Sequence, residues 1–285
     1  MTKKPSKSDK RKQKPVVRDL HYLYECSVQS TDADLDFAEK VYKRRHGSTF
    51  RLLREDFCGT AALACTWVLR HPENRAIGVD LDRPTLEWGE TRNLAALGDA
   101  RSRVELFEAN VLEVQRPKAD VTMALNFSYW IFKQRAQQLE YFKSVRRGLK
   151  PGGLFILDLF GGTESMVESD EDRKIDAEVT FDGTRVPGFK YSWEQAEYNP
   201  VTGDFVCHIH FKLRDGTRMK KAFSYDWRFW TMPELRELLM DAGFEFADAY
   251  TDDWDDFLDD SDGIYRRRRK FDNEGVWVGY LVAGR

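Results

Sequence analysis

The sequence predicts an α/β fold built on a mostly parallel sheet, with an antiparallel β-meander inserted before the last helix. Three observations predict it. The run 52–63 (Leu-Leu-Arg-Glu-Asp-Phe-Cys-Gly-Thr-Ala-Ala-Leu) reads as a buried strand, a tight small-residue turn and a helix start, the arrangement with which α/β proteins hold a nucleotide. Further short apolar runs, each ending in a polar side chain, follow it at intervals that leave room for helices. Beyond residue 188, three segments alternate with a period near two between well-formed turns, as the strands of a meander do.

Taken in chain order, Asp19-Leu20-His21-Tyr22-Leu23-Tyr24-Glu25 precedes a helix expected over 32–45, with Ser30 or Thr31 as its cap. Phe50, Leu52 and Leu53 suit a central strand, and 61–69 a helix packed on it. Between them Gly59, Thr60 and Ala61 are small enough for the backbone to approach a ligand. Ala76-Ile77-Gly78-Val79-Asp80 is a second strand whose carboxylate lies roughly 20 residues on, the spacing that reaches ribose hydroxyls. Asp82 then caps a helix with Pro84 in its first turn. A third strand, 104–110, ends in Asn110, and a fourth, 121–126, ends in Asn126 and precedes an amphipathic helix over 134–149. Lys150-Pro151-Gly152-Gly153 leads into a fifth strand over 154–158.

These residues together resemble the class I S-adenosylmethionine-dependent methyltransferases over about residues 45–165 and the C-terminal segment. The carriers are Glu55-x-Phe57-x-Gly59-x-Ala61 in place of the family's acidic-x-Gly-x-Gly-x-Gly loop, Gly78-Val79-Asp80, Ala109-Asn110-Val111, and Leu149-Lys150-Pro151-Gly152-Gly153. Phe57 and Ala61 depart from the family by replacing its first and third loop glycines. The resemblance implies a Rossmann-like, seven-stranded, mostly parallel sheet with an antiparallel C-terminal strand, and S-adenosylmethionine as cofactor. It implies that Gly59, Thr60 and Ala61 pass the methionine moiety and that Glu55 receives its ammonium. Asp80, with Leu81 beside it, would meet the ribose, and Asn110 with the Val111 amide would read the adenine edge. In similar enzymes an N-terminal tyrosine folds over the cofactor as a lid, which Tyr22 or Tyr24 would do here; the plainer alternative is an aromatic that packs the helix onto the sheet.

For the acceptor side the resemblance points to Asn126-Phe127-Ser128-Tyr129, at the end of the fourth strand. The segment is faintly similar to the Asn-Pro-Pro-Tyr motif of amino-methylating nucleic-acid enzymes, without its prolines. Asn126 and Tyr129 are therefore candidate catalytic residues, with Asn126 also a candidate cofactor contact, against the alternative that Asn126 turns the chain and Tyr129 and Trp130 pack. His208 and His210, two apart on a strand, share a face and are further candidates as base and binder, or are partners buried within the sheet. No metal site is expected, since carboxylate or cysteine ligands at usable spacing are lacking.

The insert is expected over 166–230, with strands at 189–198, 204–213 and 218–229, covering the acceptor site. Similar enzymes with such a β insert act on small molecules, so a small-molecule amine or hydroxyl is the expected acceptor. Tyr191, Trp193, Tyr225, Trp227 and Trp230 make the insert dense in aromatics, as a cage for a cationic amine or simply as core. Thr231-Met232-Pro233-Glu234 is a capping box opening a helix over 235–242 that Gly243 closes. Strands over 244–250 and 276–282 complete the core, which spans 19–165 and 231–285. A nicotinamide site is disfavoured because Ala62 stands where Gly-x-Gly-x-x-Gly needs its last glycine.

Composition agrees. A chain of 285 residues, 41% hydrophobic, is long enough for one large core and an added subdomain. No apolar run approaches the roughly 20 residues that span a bilayer, and the basic start has no apolar segment behind it, so neither a membrane anchor nor a secretory signal is expected. Four cysteines without a Cys-x-x-Cys pair suit a reducing cytoplasm. The net charge of -3 conceals a tail, 1–18, with eight Lys or Arg and one Asp, expected to be disordered, and an Asp-rich stretch (252–262) followed by Arg266-Arg267-Arg268-Arg269-Lys270. These would let an RNA or protein methyltransferase capture its substrate. The preferred reading is a solubilising tail and a self-neutralising loop. A non-catalytic cofactor-binding scaffold, suggested by Phe57 and Ala61, is the third possibility. Oligomeric state is not legible.

Overall fold

A computed structural model describes residues 16–255 and 260–285. The basic tail up to residue 15 lies outside them, as do Asp256 and Asp259 of the acidic stretch. Two helices, α1 (Leu20–Val28) and α2 (Thr31–His46), precede an alternation of β1 (Leu52–Asp56), α3 (Ala62–Arg70), β2 (Arg75–Asp80), α4 (Arg83–Gly89), β3 (Val104–Glu108), β4 (Ala119–Ala124), α5 (Arg135–Gly148) and β5 (Leu149–Gly161). The insert follows as β6 (Ser169–Ile175), the small hairpin β7 (Glu178–Val179) and β8 (Arg185–Val186), then β9 (Phe189–Tyr198), β10 (Asp204–Lys212) and β11 (Arg218–Arg228). The chain closes with α6 (Met232–Asp241), β12 (Phe246–Thr251), β13 (Trp254–Asp255), β14 (Asp260–Ser261), β15 (Arg266–Arg268) and β16 (Trp277–Gly284).

The main sheet has the order β15-β12-β16-β5-β4-β1-β2-β3. Strands β1 to β5 are parallel, and β16 enters antiparallel between β5 and β12. Because the order reverses between β1 and β4, their carboxyl ends open a crevice where α/β sheets bind ligands. The parallel strands are buried on both faces, by Trp67 and Val68 of α3 on one side and by Tyr141, Phe142 and Val145 of α5 on the other. Each such side chain contributes about 1.5–3 kcal/mol by leaving water, and Trp67 also stacks on Phe50 at 4.1 Å. The capping box of α6 forms as predicted: Thr231 and Glu234 exchange backbone and side-chain hydrogen bonds.

Three features differ from expectation. The segment 19–28, expected only to lead into a helix, is itself helix α1, begun by Asp19, whose carboxylate accepts from the His21 N–H at 3.0 Å. An eighth strand, β15, is added to the predicted seven by part of the arginine run, with Arg267 bonded to Asp248 and Arg266 to Asp253 and Asp262. The meander gains a fourth strand, β6 (Ser-Asp-Glu-Asp-Arg-Lys-Ile), on the outside of β9. Both additions are short charged edge strands, the form that discourages pairing with other chains, and neither carries an apolar alternation.

Candidate cofactor and acceptor site

The loop between β1 and α3 keeps the backbone of a glycine loop with only one of its glycines, Gly59. Phe57, Gly59 and Ala61 all lie in the left-handed region, at φ 59°, 51° and 58°. For Phe57 and Ala61 this conformation costs on the order of 1–3 kcal/mol each, so the surroundings must impose it. Cys58 N–H donates to the Val79 carbonyl at 3.1 Å, Gly59 N–H to Asp80 Oδ2 at 2.8 Å, and Ala61 N–H to the Cys58 carbonyl at 2.8 Å. The Phe57 ring leans on Tyr141 and Phe132, with centroids 5.6 and 6.1 Å apart. Gly89 of α4 rests directly on the loop: a Cβ there would stand 2.5 Å from the Thr60 carbonyl oxygen.

Asp80 ends β2 half-buried, with Oδ2 on the Gly59 N–H and Oδ1 on the Asp82 N–H at 2.9 Å. A carboxylate has about four acceptor positions, so two remain for a ligand's hydroxyls. Leu81 beside it is 65% exposed, an apolar surface at the strand end available to a flat ring. Asn110 uses its Oδ1 on the Leu112 N–H at 3.0 Å, and Val111 is buried with its carbonyl held by Arg54 at 3.0 Å. Arg54 also reaches the Val114 carbonyl and pairs with Asp56 at 2.6 Å; Asp56 in turn accepts from the Tyr141 hydroxyl at 3.0 Å. This buried pair ties β1 to the segment after β3, and neither member is among the residues singled out from sequence.

Glu55 is buried, with Oε2 on the Ala64 N–H at 3.1 Å in the first turn of α3. Burial pushes its carboxyl up to about 8, the charges of Asp80, Asp34 and Asp56 add to that, and the Ala64 N–H opposes it. Thr60 donates to Glu25 of α1 at 2.6 Å, and Asn93 bonds both Glu25, at 2.7 Å, and the Thr60 carbonyl, at 3.1 Å. Helix α1 thus clasps the loop from above.

At the end of β4, Asn126 and Phe127 are again left-handed, at φ 55° and 56°. Their N–H groups donate to Asp158 of β5, at 2.7 and 3.0 Å. Tyr129, a candidate catalytic residue, is fully buried, and its hydroxyl donates to the Asp158 backbone carbonyl at 2.7 Å. The short 3-10 turn Ser128–Ile131 rolls it into the core, so it packs rather than meeting an acceptor.

His208 and His210 are likewise displaced from the crevice. They do share a face, but the other face of β10, with Phe205, Cys207, Ile209 and Phe211, is the one packed inward. His208 Nδ1 meets Ser224 Oγ at 2.8 Å; His210 Nε2 meets Glu194 Oε2 at 2.8 Å, and its Nδ1 accepts from the Lys221 N–H at 3.0 Å. Alternation along the strand dictates this, because the apolar set must face the core.

The inward face carries Trp193, Phe223, Tyr225 and Trp227. Tyr225 and Trp227 stack at 4.3 Å, and Trp193 lies 6.1 Å from Tyr225. Tyr24 of α1 packs on Phe223 at 4.9 Å, and burial raises its phenol. Trp193, Phe223, Tyr225, Tyr24, Phe57 and Phe127 all remain half-buried, so this inward surface is not closed by packing.

No family model and no curated protein matches the sequence. Solved structures do match in fold. CalS10, an amino pentose methyltransferase from Micromonospora echinaspora in its SAM-bound form, aligns at TM-score 0.66 and 14% identity over 95% of this chain and 99% of its own. The sugar N-methyltransferase KedS8 from Streptoalloteichus sp ATCC 53650 aligns at TM-score 0.59 and 14% identity over 98% of both chains. An S-adenosylmethionine-dependent methyltransferase from Clostridium acetobutylicum ATCC 824 aligns at TM-score 0.59 and 18% identity over 92% of this chain and 96% of its own. The chain therefore has the Rossmann-like fold of these methyltransferases.

Proposed function

From that fold, we propose that the chain is an S-adenosylmethionine-dependent methyltransferase acting on an amine or hydroxyl of a small molecule. The observation that carries the reading is the strained loop: Phe57, Gly59 and Ala61 hold three left-handed φ angles while the Gly59 N–H fixes Asp80. Strain of this kind persists where the surroundings over-determine it and clusters at ligand sites.

The residues present fit the cofactor. Asp80 has acceptor positions left for two ribose hydroxyls, exposed Leu81 offers an apolar face to the adenine, and Asn110 with the Val111 amide lies at the neighbouring strand end. Gly59, Thr60 and Ala61 would flank the methionine end, with Glu55 and the start of α3 beneath it and Tyr24 of α1 above. When bound, the cofactor supplies a methyl group on a sulfonium, open to in-line attack. The chain's part is to align the acceptor's lone pair and keep water away. Asn126 at the end of β4 remains a candidate to bind both cofactor and acceptor, and the insert, 166–230, would roof the acceptor.

Capture of nucleic acid by the arginine run is not favoured, because Arg266 and Arg267 are already paired with Asp253, Asp262 and Asp248. Four free cysteines suit action in a reducing cytoplasm; among the described residues no helix is long and apolar enough to cross a membrane. A non-catalytic scaffold is disfavoured by the left-handed backbone that Phe57 and Ala61 retain.

Calorimetric titration of S-adenosylmethionine into the full chain tests the reading. Binding is expected, weakened about 100-fold or more in Asp80→Ala, since two hydrogen bonds to a charged group are lost. Failure of the unaltered protein to bind would reduce the assignment to its fold.

A further inference from the structure

We infer that the acceptor is an amine and that Asp158 is the group that takes its proton. The inference rests on the methyl-transfer reading above and deepens it.

Asp158 stands at the carboxyl end of β5, beside β4, and is 9% exposed. Its two oxygens accept from the Asn126 and Phe127 N–H groups, which fills two of about four acceptor positions. No Lys, Arg or His among the described residues pairs with it. An ionised carboxyl removed from water without a cation is costly, and this one is held by two residues in a backbone conformation that side chains rarely adopt.

Phe127 links Asp158 to the aromatic face of the insert. Phe127, whose N–H holds the carboxylate, approaches Trp227 at 6.3 Å, and Trp227 leads to Tyr225 and Trp193. Half-buried ring faces attract a cation but give a neutral hydroxyl little. A lone carboxylate and the half-buried rings of Phe127, Tyr225 and Trp193 therefore select an ammonium group.

The proton step balances without another side chain. An N–H bond of the acceptor's ammonium breaks, the proton passes to a free position on an Asp158 oxygen, and the electron pair stays on nitrogen. That pair attacks the methyl carbon of the sulfonium donor as the carbon–sulfur bond breaks with its electrons on sulfur. The methylated product leaves as an ammonium ion, and Asp158 returns its proton to water. Burial places Asp158 at about 7, with Asp34 of α2 raising it and the Phe127 and Asn126 N–H groups lowering it. The other titratable groups facing it are the phenols of Tyr24, Tyr129, Tyr265 and Tyr280, all raised and neutral in this range. The carboxyl is thus poised to exchange a proton near neutrality.

The test uses the full chain saturated with S-adenosylhomocysteine and two isosteric probes, cyclohexylamine and cyclohexanol, with binding measured by calorimetry. At pH 8 the amine is expected to bind at least about ten-fold more tightly than the alcohol. On acidification the preference should fade as Asp158 protonates around 7, a measurement on the unaltered protein that needs no variant to fold. In Asp158→Asn the preference should vanish while S-adenosylhomocysteine still binds. Equal affinities, tighter binding of the alcohol, no binding of either probe, or a preference that survives in Asp158→Asn would overturn the inference. Were Asp158 only a pin for the Asn126 turn, the variant would melt earlier and keep the preference. Failure of S-adenosylhomocysteine itself to bind would overturn the methyl-transfer reading beneath it.

Discussion

Charged side chains in the middle of a parallel sheet are costly unless partnered, yet β1 carries three in succession, Arg54, Glu55 and Asp56, all buried. Arg54 and Asp56 face one another and satisfy much of that cost jointly, with Tyr141 and two backbone carbonyls completing the set. Glu55 points to the other side and has the Ala64 N–H but no cation among the described residues, and burial pushes its carboxyl up to about 8. Since that value lies above the unfolded one, the contribution to stability is full below the unfolded value of 4.5 and is lost as pH rises through about 8. Glu55→Gln is therefore expected to melt close to the parent at pH 5 and above it at pH 9, by differential scanning calorimetry. A variant that melts lower at pH 9 would mean that Glu55 is stabilised there as an anion. The charges themselves were plain in the sequence, but only Glu55 among them stood out, through the resemblance. What the sequence could not reveal was which of them would pair, because Val111, Val114 and Tyr141 come from distant positions.

Among the elements, α1 shows how legibility falls as contacts become non-local. Its tyrosines marked 19–25 as a candidate lid, but every bond that seats it is long-range: Glu25 to Thr60 and Asn93, Tyr22 to Asp182 at 2.5 Å, Asp19 to Trp88 at 2.8 Å. The helix therefore joins the glycine loop, α4 and the insert in one clasp. Glu25→Ala removes the bonds to the loop while leaving those of Tyr22 and Asp19. S-adenosylmethionine should then dissociate several-fold faster in stopped-flow displacement, with the insert still folded by circular dichroism. An unchanged dissociation rate would make α1 a packing element only. The strands divide the same way. β1 to β5, β12 and β16 announced themselves through apolar runs, and β9 to β11 through alternation and turns. β6 and β15 are charged edge strands whose pairing comes from their neighbours and not from their own pattern. His208 and His210 failed as site candidates for a related reason: alternation shows that two residues share a face, but only the packed sheet shows which face is inside.

At the scale of the whole molecule, the carboxyl ends of β5 and β1 and the start of α2 gather acids that burial raises: Asp34 to about 6, Asp158 to about 7 and Glu55 to about 8. Each has a folded value above its unfolded one, so each contributes stability at low pH that disappears as pH climbs through these values. His21 and His208, lowered mainly by burial, act in the opposite sense, losing stability as pH falls below the ordinary histidine range. The surface acids that are lowered, Asp172, Asp182, Asp204, Asp215 and Asp262, matter only under more acidic conditions. Between pH 6.5 and 9 the buried acids are thus left to dominate, and the melting temperature of the ligand-free protein should fall across that window. A cationic ligand reverses the balance, because it favours the ionised acids that the empty fold disfavours. The stabilisation given by saturating S-adenosylmethionine, which carries a sulfonium and an ammonium, should therefore grow from pH 6.5 to 9, whereas S-adenosylhomocysteine, lacking the sulfonium, should show a shallower rise. Thermal melts in matched buffers with each ligand check this directly. Parallel, flat increments for the two ligands would show that the buried acids do not meet the cofactor's charge, and that the crevice binds it through its neutral groups alone.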